Sequence, residues 1–121
     1  MPRYLSPDWI EALDASLASS GFAPGVRLVI QHVVDDDTAY YVAIEDERAS
    51  VRAGRAEEPT VTFTQDRATA AEIAQGRVSA QQAFMSGRLG VRGDLATLAG
   101  SQEVMDELDR AFRSVREHTE F

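Results

Sequence analysis

The chain has no cysteine, which removes disulfides, thiolate metal sites, iron–sulfur clusters and thiol nucleophiles at once. Lysine is absent too: all 12 basic residues are arginine, so Schiff-base chemistry and a phosphate-loop lysine are both excluded. Positive charge is scarce, with 12 basic residues against 20 acidic ones and a formal net charge of −8. Nucleic acid and anionic membrane surfaces select for clustered positive charge, so neither is an expected partner. Only two histidines occur, His32 and His118, too far apart in sequence to form a metal-binding pattern. No apolar run approaches the length of a membrane span, and the opening residues MPRYLSPDWIEALD hold none that would act as a secretory signal. The expectation is a soluble, cytoplasmic protein without stable membrane insertion.

What is present is ordinary for a folded domain: 121 residues, 44% hydrophobic and 26% charged. Glycine and proline number 8 and 4, too few for a collagen-like repeat or a long flexible linker. Residues 1–121 are therefore read as a single domain, burying roughly two-thirds of the surface its unfolded chain exposes.

Along the chain, Ser6 to Ser20 reads as a helix, with Ser6 as N-cap, Pro7 in the first helical position and Asp8 in the first turn. Trp9, Ile10, Leu13 and Leu17 form its apolar stripe. From Val26 to Val34 the period becomes two, with Leu28, Ile30, His32 and Val34 on one face and Val29, Gln31 and Val33 on the other. Asp35, Asp36 and Asp37 form a turn, and Thr38 to Asp46 returns as a strand with Tyr40, Val42 and Ile44 on one face. Arg48–Ala53 and Thr60–Thr64 read as a third and fourth strand, the latter turning Val61 and Phe63 inward. Consecutive short strands of this kind indicate an antiparallel meander.

After Gln65 the character changes. Asp66 to Gln75 reads as a helix stopped at Gly76, and Ser79 caps a short helix, Ala80 to Met85, ended by Gly87. Leu89 to Arg92 reads as a brief strand, and Asp94 caps a turn of helix through Leu98. A last helix runs from Gln102 to about Glu117, with Val104, Leu108, Ala111 or Phe112, and Val115 on its apolar face and Met105 widening it. The order predicts an α+β layer arrangement, a sheet covered by helices largely on one face.

Catalytic chemistry finds little support. Asp35–Asp37 lacks the alternation, central glycine and terminal glutamate of a calcium loop and reads as a solvated turn. His32 on the apolar strand face has neither an acidic orienter nor a nucleophile in sight and reads as structural. None of the nine serines sits in a G-x-S-x-G frame. Gly87, Gly90 and Gly93 lie in G-R-L-G-V-R-G-D, which is not the dinucleotide fingerprint. No enzyme activity and no cofactor are expected. The remaining feature is apolar: a helical half rich in alanine, with isolated large residues among the small ones. Such helices over a sheet either pack as a plain core or leave an apolar cleft for a ligand.

Residues 60–99, TVTFTQDRATAAEIAQGRVSAQQAFMSGRLGVRGDLATLA, resemble the SCP-2 sterol-carrier family. Asp66 matches the family's Asp after a strand and Gly76 its central glycine. Ala83, Phe84 and Gly87 match its short helix and stop. Arg88 stands where lysine is usual, followed by Leu89, Val91, Gly93 and Asp94, and Leu95 and Leu98 fit the apolar positions after the Gly-Asp pair. The resemblance extends over roughly residues 20–112. It implies a five-stranded, mostly antiparallel sheet covered by helices, with an apolar cavity between the layers. It also implies non-catalytic binding or carriage of a fatty acid, acyl-CoA, phospholipid or sterol-like molecule. Phe63, Phe84, Met85, Leu89, Leu98, Met105, Leu108 and Phe112 are the expected lining, while Gly93 and Asp94 are expected to be structural. The chain ends Thr119-Glu120-Phe121 rather than in a small-basic-Leu tripeptide, so a peroxisomal destination is not expected. Its arginine- and alanine-rich composition resembles that of a bacterial protein of high-GC coding. The alternative reading is an accessory or scaffold domain, with a homodimer or an enzyme as partner and little or no cavity.

Overall fold

The computed structural model describes residues 1–121, and its first helix, α1 (Pro7–Ala18), starts where local chemistry dictates. The Ser6 side chain accepts the Trp9 backbone N–H at 3.2 Å, and Pro7 loses nothing by lacking an N–H at a helix start. Trp9, Ile10, Leu13 and Leu17 are all buried, giving α1 one apolar stripe that packs on the sheet's third strand and on the last helix. Burial of each such side chain contributes about 1.5–3 kcal/mol.

Five strands follow: β1 (Leu28–Val34), β2 (Thr38–Glu45), β3 (Arg48–Ala53), β4 (Val61–Gln65) and β5 (Gly90–Gly93). They lie in the order β3-β2-β1-β4-β5, antiparallel throughout except where β4 runs parallel to β1. The sheet is therefore mixed, and the meander is limited to β1–β3. The reason lies in residues 54–60, which are too many for a tight hairpin. They leave β3 at one edge and place β4 on the far side of β1. The loop crosses the face away from the helices, where Ala56 donates its backbone N–H to the Gln31 side-chain oxygen at 2.7 Å and Thr60 donates to the Val29 carbonyl at 2.8 Å. Gln31 is consequently buried on this face, between Val29 and Val33 along β1.

The second half supplies α2 (Arg67–Ala74), α3 (Ala80–Met85), α4 (Leu95–Ala99) and α5 (Gln102–Arg116). Asp66 caps α2 through Thr69 N–H at 2.7 Å. Ser79 and Gln82 form a reciprocal capping box on α3. Helix α5 buries Val104, Leu108, Ala111 and Val115 and leaves Met105 and Phe112 half-buried. No helix is long and apolar enough to cross a membrane. The termini meet: Tyr4 N–H donates to the Glu120 carbonyl at 2.9 Å, and Glu120 N–H donates to that of Pro2 at 2.7 Å.

Candidate functional site

Strand alternation turns Ile30 and His32 of β1, Tyr40 and Val42 of β2, and Phe63 and Gln65 of β4 toward the helices. Register sets them in rows. Ile30 lies opposite Val42, and one step along, Tyr40, His32 and Phe63 sit side by side. This is the floor of a recess of about 180 Å³. Ala70, Ile73 and Ala74 of α2 and Ala80 of α3 wall it, and Met105, Leu108, Asp109, Phe112 and Arg116 of α5 close it, with Tyr4 at one side. Twelve of its 16 lining residues are hydrophobic, which makes it a place for apolar atoms. A space of about 180 Å³ with such walls suits the apolar part of a small molecule.

An aromatic cluster packs across the floor. His32 stacks on Tyr40 with ring centroids 4.7 Å apart and meets the edge of Phe63 at 5.3 Å. Trp9 packs edge-on to Tyr40 at 5.4 Å and lies 6.3 Å from Phe112. Burial pushes the His32 imidazole down to about 4 from its usual 6.5, leaving it neutral at ordinary pH. Burial likewise raises the Tyr40 and Tyr4 phenols, with Arg67 partly opposing the shift at Tyr4, so both keep their protons. Two charged residues border the recess, and of these only Asp109 is in an ion pair. Asp109 pairs with Arg113 at 2.6 Å, and Arg116 donates its Nε–H to the Ala74 carbonyl.

Of the residues expected from sequence to line a cavity, Phe63, Met105, Leu108 and Phe112 border this recess. The other four lie elsewhere. Phe84 and Met85 are 52% and 78% exposed, because α3 is so short that Ala83 is its one buried position and the next two residues turn outward. Leu89 is buried outside the recess, its N–H donating to the Ala83 carbonyl at 3.1 Å, and Leu98 packs against the core from α4. Sequence reasoning missed Tyr4, Ile30, His32, Tyr40, Val42 and Gln65 as lining residues. The inward strand phase of Ile30, His32, Tyr40 and Val42 was the signal that could have found them.

No group of three or more His, Asp or Glu side chains is placed to hold a metal ion, and His32 has no carboxylate partner to orient it as a base. A larger recess of about 780 Å³ lies on the opposite sheet face, lined by Gln31, Thr62, Thr64, Arg55, Arg88, Arg92 and acidic neighbours. Val33 is its one hydrophobic lining residue, and the rest of its wall is polar, charged or glycine.

Residues 11–106 match the model of the SCP-2 sterol transfer family. Comparison with curated proteins gives no match. Among solved structures, a conserved hypothetical protein from Thermus thermophilus superposes with a TM-score of 0.73 at 22% identity, over 95% of this chain and 91% of that one. A sterol carrier protein 2 crystal structure gives a TM-score of 0.70 at 20% identity, over 95% of this chain and 98% of that one. A double mutant of the sec-alkyl sulfatase PisA1 matches at 21% identity with a TM-score of 0.61. There 78% of this chain aligns, and the chain spans about 15% of that protein's length.

Proposed function

The chain belongs to the SCP-2 sterol transfer family, and from that premise we propose that it binds an apolar small molecule non-covalently between its sheet and helices α2 and α5. The observation that carries this reading is the recess itself: twelve hydrophobic lining residues facing one another across two layers. Each methylene moved from water into such a site contributes about 0.8 kcal/mol, so about six to eight of them offset a typical association cost. A longer acyl chain requires the half-buried side chains of Met105 and Phe112 to move aside. Both stand at the boundary between core and recess, and methionine adapts to such demands.

Trp9 is the only tryptophan and lies beside two lining residues, so it reports on occupancy. Titration with linear alkanols of increasing length is expected to shift its emission saturably, with affinity rising per methylene until the recess is full. A response that never saturates, together with purified protein free of lipid by native mass spectrometry, would remove the proposal.

A second reading, association with another protein, is favoured by the exposed Phe84 and Met85 side by side on α3. Its test is the molar mass in solution across a concentration series, with and without Met85→Ser.

A further inference from the structure

Helix α3 sits at the β5 edge of the sheet and reaches both of its faces. Ala80, its first residue, walls the apolar recess, while Gly87 and Arg88, just past its end, line the polar recess on the opposite face together with Arg92 of β5. The helix is pinned at both ends. Ser79 and Gln82 cap its start, and the Ala83 carbonyl accepts the backbone N–H groups of Arg88 and Leu89 at 2.9 and 3.1 Å, with Ala83 and Leu89 buried. Phe84 and Met85 are therefore held outward by a fixed helix. Around them the charge of the chain is reversed. Residues 73–93 contain no Asp or Glu and three arginines, Arg77, Arg88 and Arg92, whereas the rest of the chain holds nine arginines against all 20 acidic residues. Acidic groups that approach from neighbouring elements are mostly occupied. Glu72 pairs with Arg88 at 3.1 Å, Asp109 pairs with Arg113, and Asp66 and Asp35 accept the backbone N–H groups of Thr69 and Arg67. Asp36 stands across the polar recess, beside Arg55. Arg77 and Arg92 are exposed and in no ion pair.

We propose that this corner, Phe84 and Met85 with Arg77, Arg88 and Arg92, is a docking surface for an anionic lipid bilayer. The two apolar side chains protrude from a short helix and border neither of the recesses described above. A bilayer closes around such side chains without a complementary shape, whereas a protein partner needs about 800 Å² of fitted surface on each side. Arginine supplies the other half of the match, since its guanidinium pairs with lipid phosphates. The whole-chain charge of −8 opposes this only weakly. At physiological ionic strength charges are screened beyond about 8 Å, so the face turned to the membrane decides the attraction. The acidic remainder of the surface keeps the contact shallow, reversible and confined to one orientation. The inference goes beyond the carrier reading and does not depend on it. Where both hold, docking sets the α3 wall of the apolar recess against the source of its ligand.

The test is co-sedimentation of the full chain with vesicles of phosphatidylcholine, alone or with about one-third phosphatidylglycerol. Binding to the anionic vesicles is expected to be at least about tenfold tighter, and to fall as salt is raised. Phe84→Ser with Met85→Ser, and Arg77→Gln with Arg92→Gln, are each expected to weaken it at least about fivefold. All four side chains are exposed, so Trp9 emission of the free variants should match that of the native chain. Met85→Trp adds a reporter whose emission should shift to the blue on anionic vesicles and not on phosphatidylcholine alone. Equal binding to both vesicle types, no binding to either, or binding that both double variants retain overturns the inference. So does a dimer that Met85→Ser dissolves in a chain that ignores vesicles, which gives the patch to the second reading. Alkanol titration separates the two proposals: docking without alkanol uptake supports this inference and overturns the carrier reading, and alkanol uptake without docking does the reverse.

Discussion

The imidazole of His32 lies flat on the ring of Tyr40, centroids 4.7 Å apart and planes within 6° of parallel. A charged imidazolium in that position would be stripped of water, which is why burial lowers its pKa from 6.5 to about 4. Between those two values the unfolded chain takes up a proton that the folded chain refuses. Stability is therefore level above pH 6.5 and declines as pH falls toward about 4. The ring is only half-buried, so the loss is on the order of 2 kcal/mol rather than the full linkage value. Denaturant midpoints at neutral pH and at about pH 5 should differ in the native chain, and His32→Phe should remove most of the difference. Asp66 and Asp94, each held below the usual 3.8 chiefly by hydrogen bonds from Thr69 and Thr97, add their own loss only at lower pH, and do so in both proteins.

Gly93 ends β5 at φ +113°, and a Cβ built there would collide with the Thr60 carbonyl oxygen. That oxygen is not free to retreat, since it accepts the Asp94 backbone N–H at 2.9 Å, and Asp94 in turn caps α4 through Thr97. Gly93→Ala combines a steric clash with a disfavoured backbone, and is expected to cost about 2–4 kcal/mol in equilibrium unfolding. Gly90→Ala is the contrast: its nearest atoms would be 3.7 Å away and its φ is ordinary, so its cost should stay below about 1 kcal/mol.

Capping is where the sequence was most legible. Ser6, Ser79 and Asp94, read as caps, each accept a backbone N–H three residues on, a relationship confined to one turn and so visible in the residue order alone, and Asp66, read as the first residue of its helix, is a cap of the same kind. Strand phase was legible for the same reason, and it correctly set Val61 and Phe63 inward. The parallel pairing of β4 with β1 was not, because it depends on a loop being anchored by Gln31, 25 residues earlier than Ala56. The site divided along the same line. Phe63, Met105, Leu108 and Phe112 were named from a resemblance and their periodic elements, whereas Tyr4 precedes any periodic pattern and reaches α2 through its hydroxyl on the Ala70 carbonyl. Phe84 and Met85 lie exposed and away from the recess, and on so short a helix apolarity alone does not say which side is buried.

The two-residue connection between Glu45 and Arg48 puts both Asp46 and Glu47 at positive φ, 54° and 67°. That backbone suits a type I′ hairpin, where the second position favours glycine. Glutamate there carries strain of about 1 kcal/mol that glycine relieves, offset in part by the greater freedom glycine gives the unfolded chain. Glu47→Gly should raise stability by about 0.5 kcal/mol, seen as an upward shift in the denaturant midpoint. The same substitution at exposed Glu103, in the first turn of α5, should move it the other way by up to about 1 kcal/mol.

Phe112 decides how much the recess can hold. It borders the space, packs near Trp9 at 6.3 Å, and is only half-buried, so part of its side chain already stands free of the core. Phe112→Ala should enlarge the recess and cost about 2–4 kcal/mol of stability, at or below the usual penalty for a buried phenylalanine. The gain should fall on longer ligands: dodecanol should tighten relative to octanol, since its extra methylenes then find room. Met85→Ser serves as the control, being 78% exposed and outside the recess, and should alter neither stability nor the chain-length preference. If Met85→Ser shifts that preference and Phe112→Ala does not, the apolar ligand lies against α3 rather than under α5.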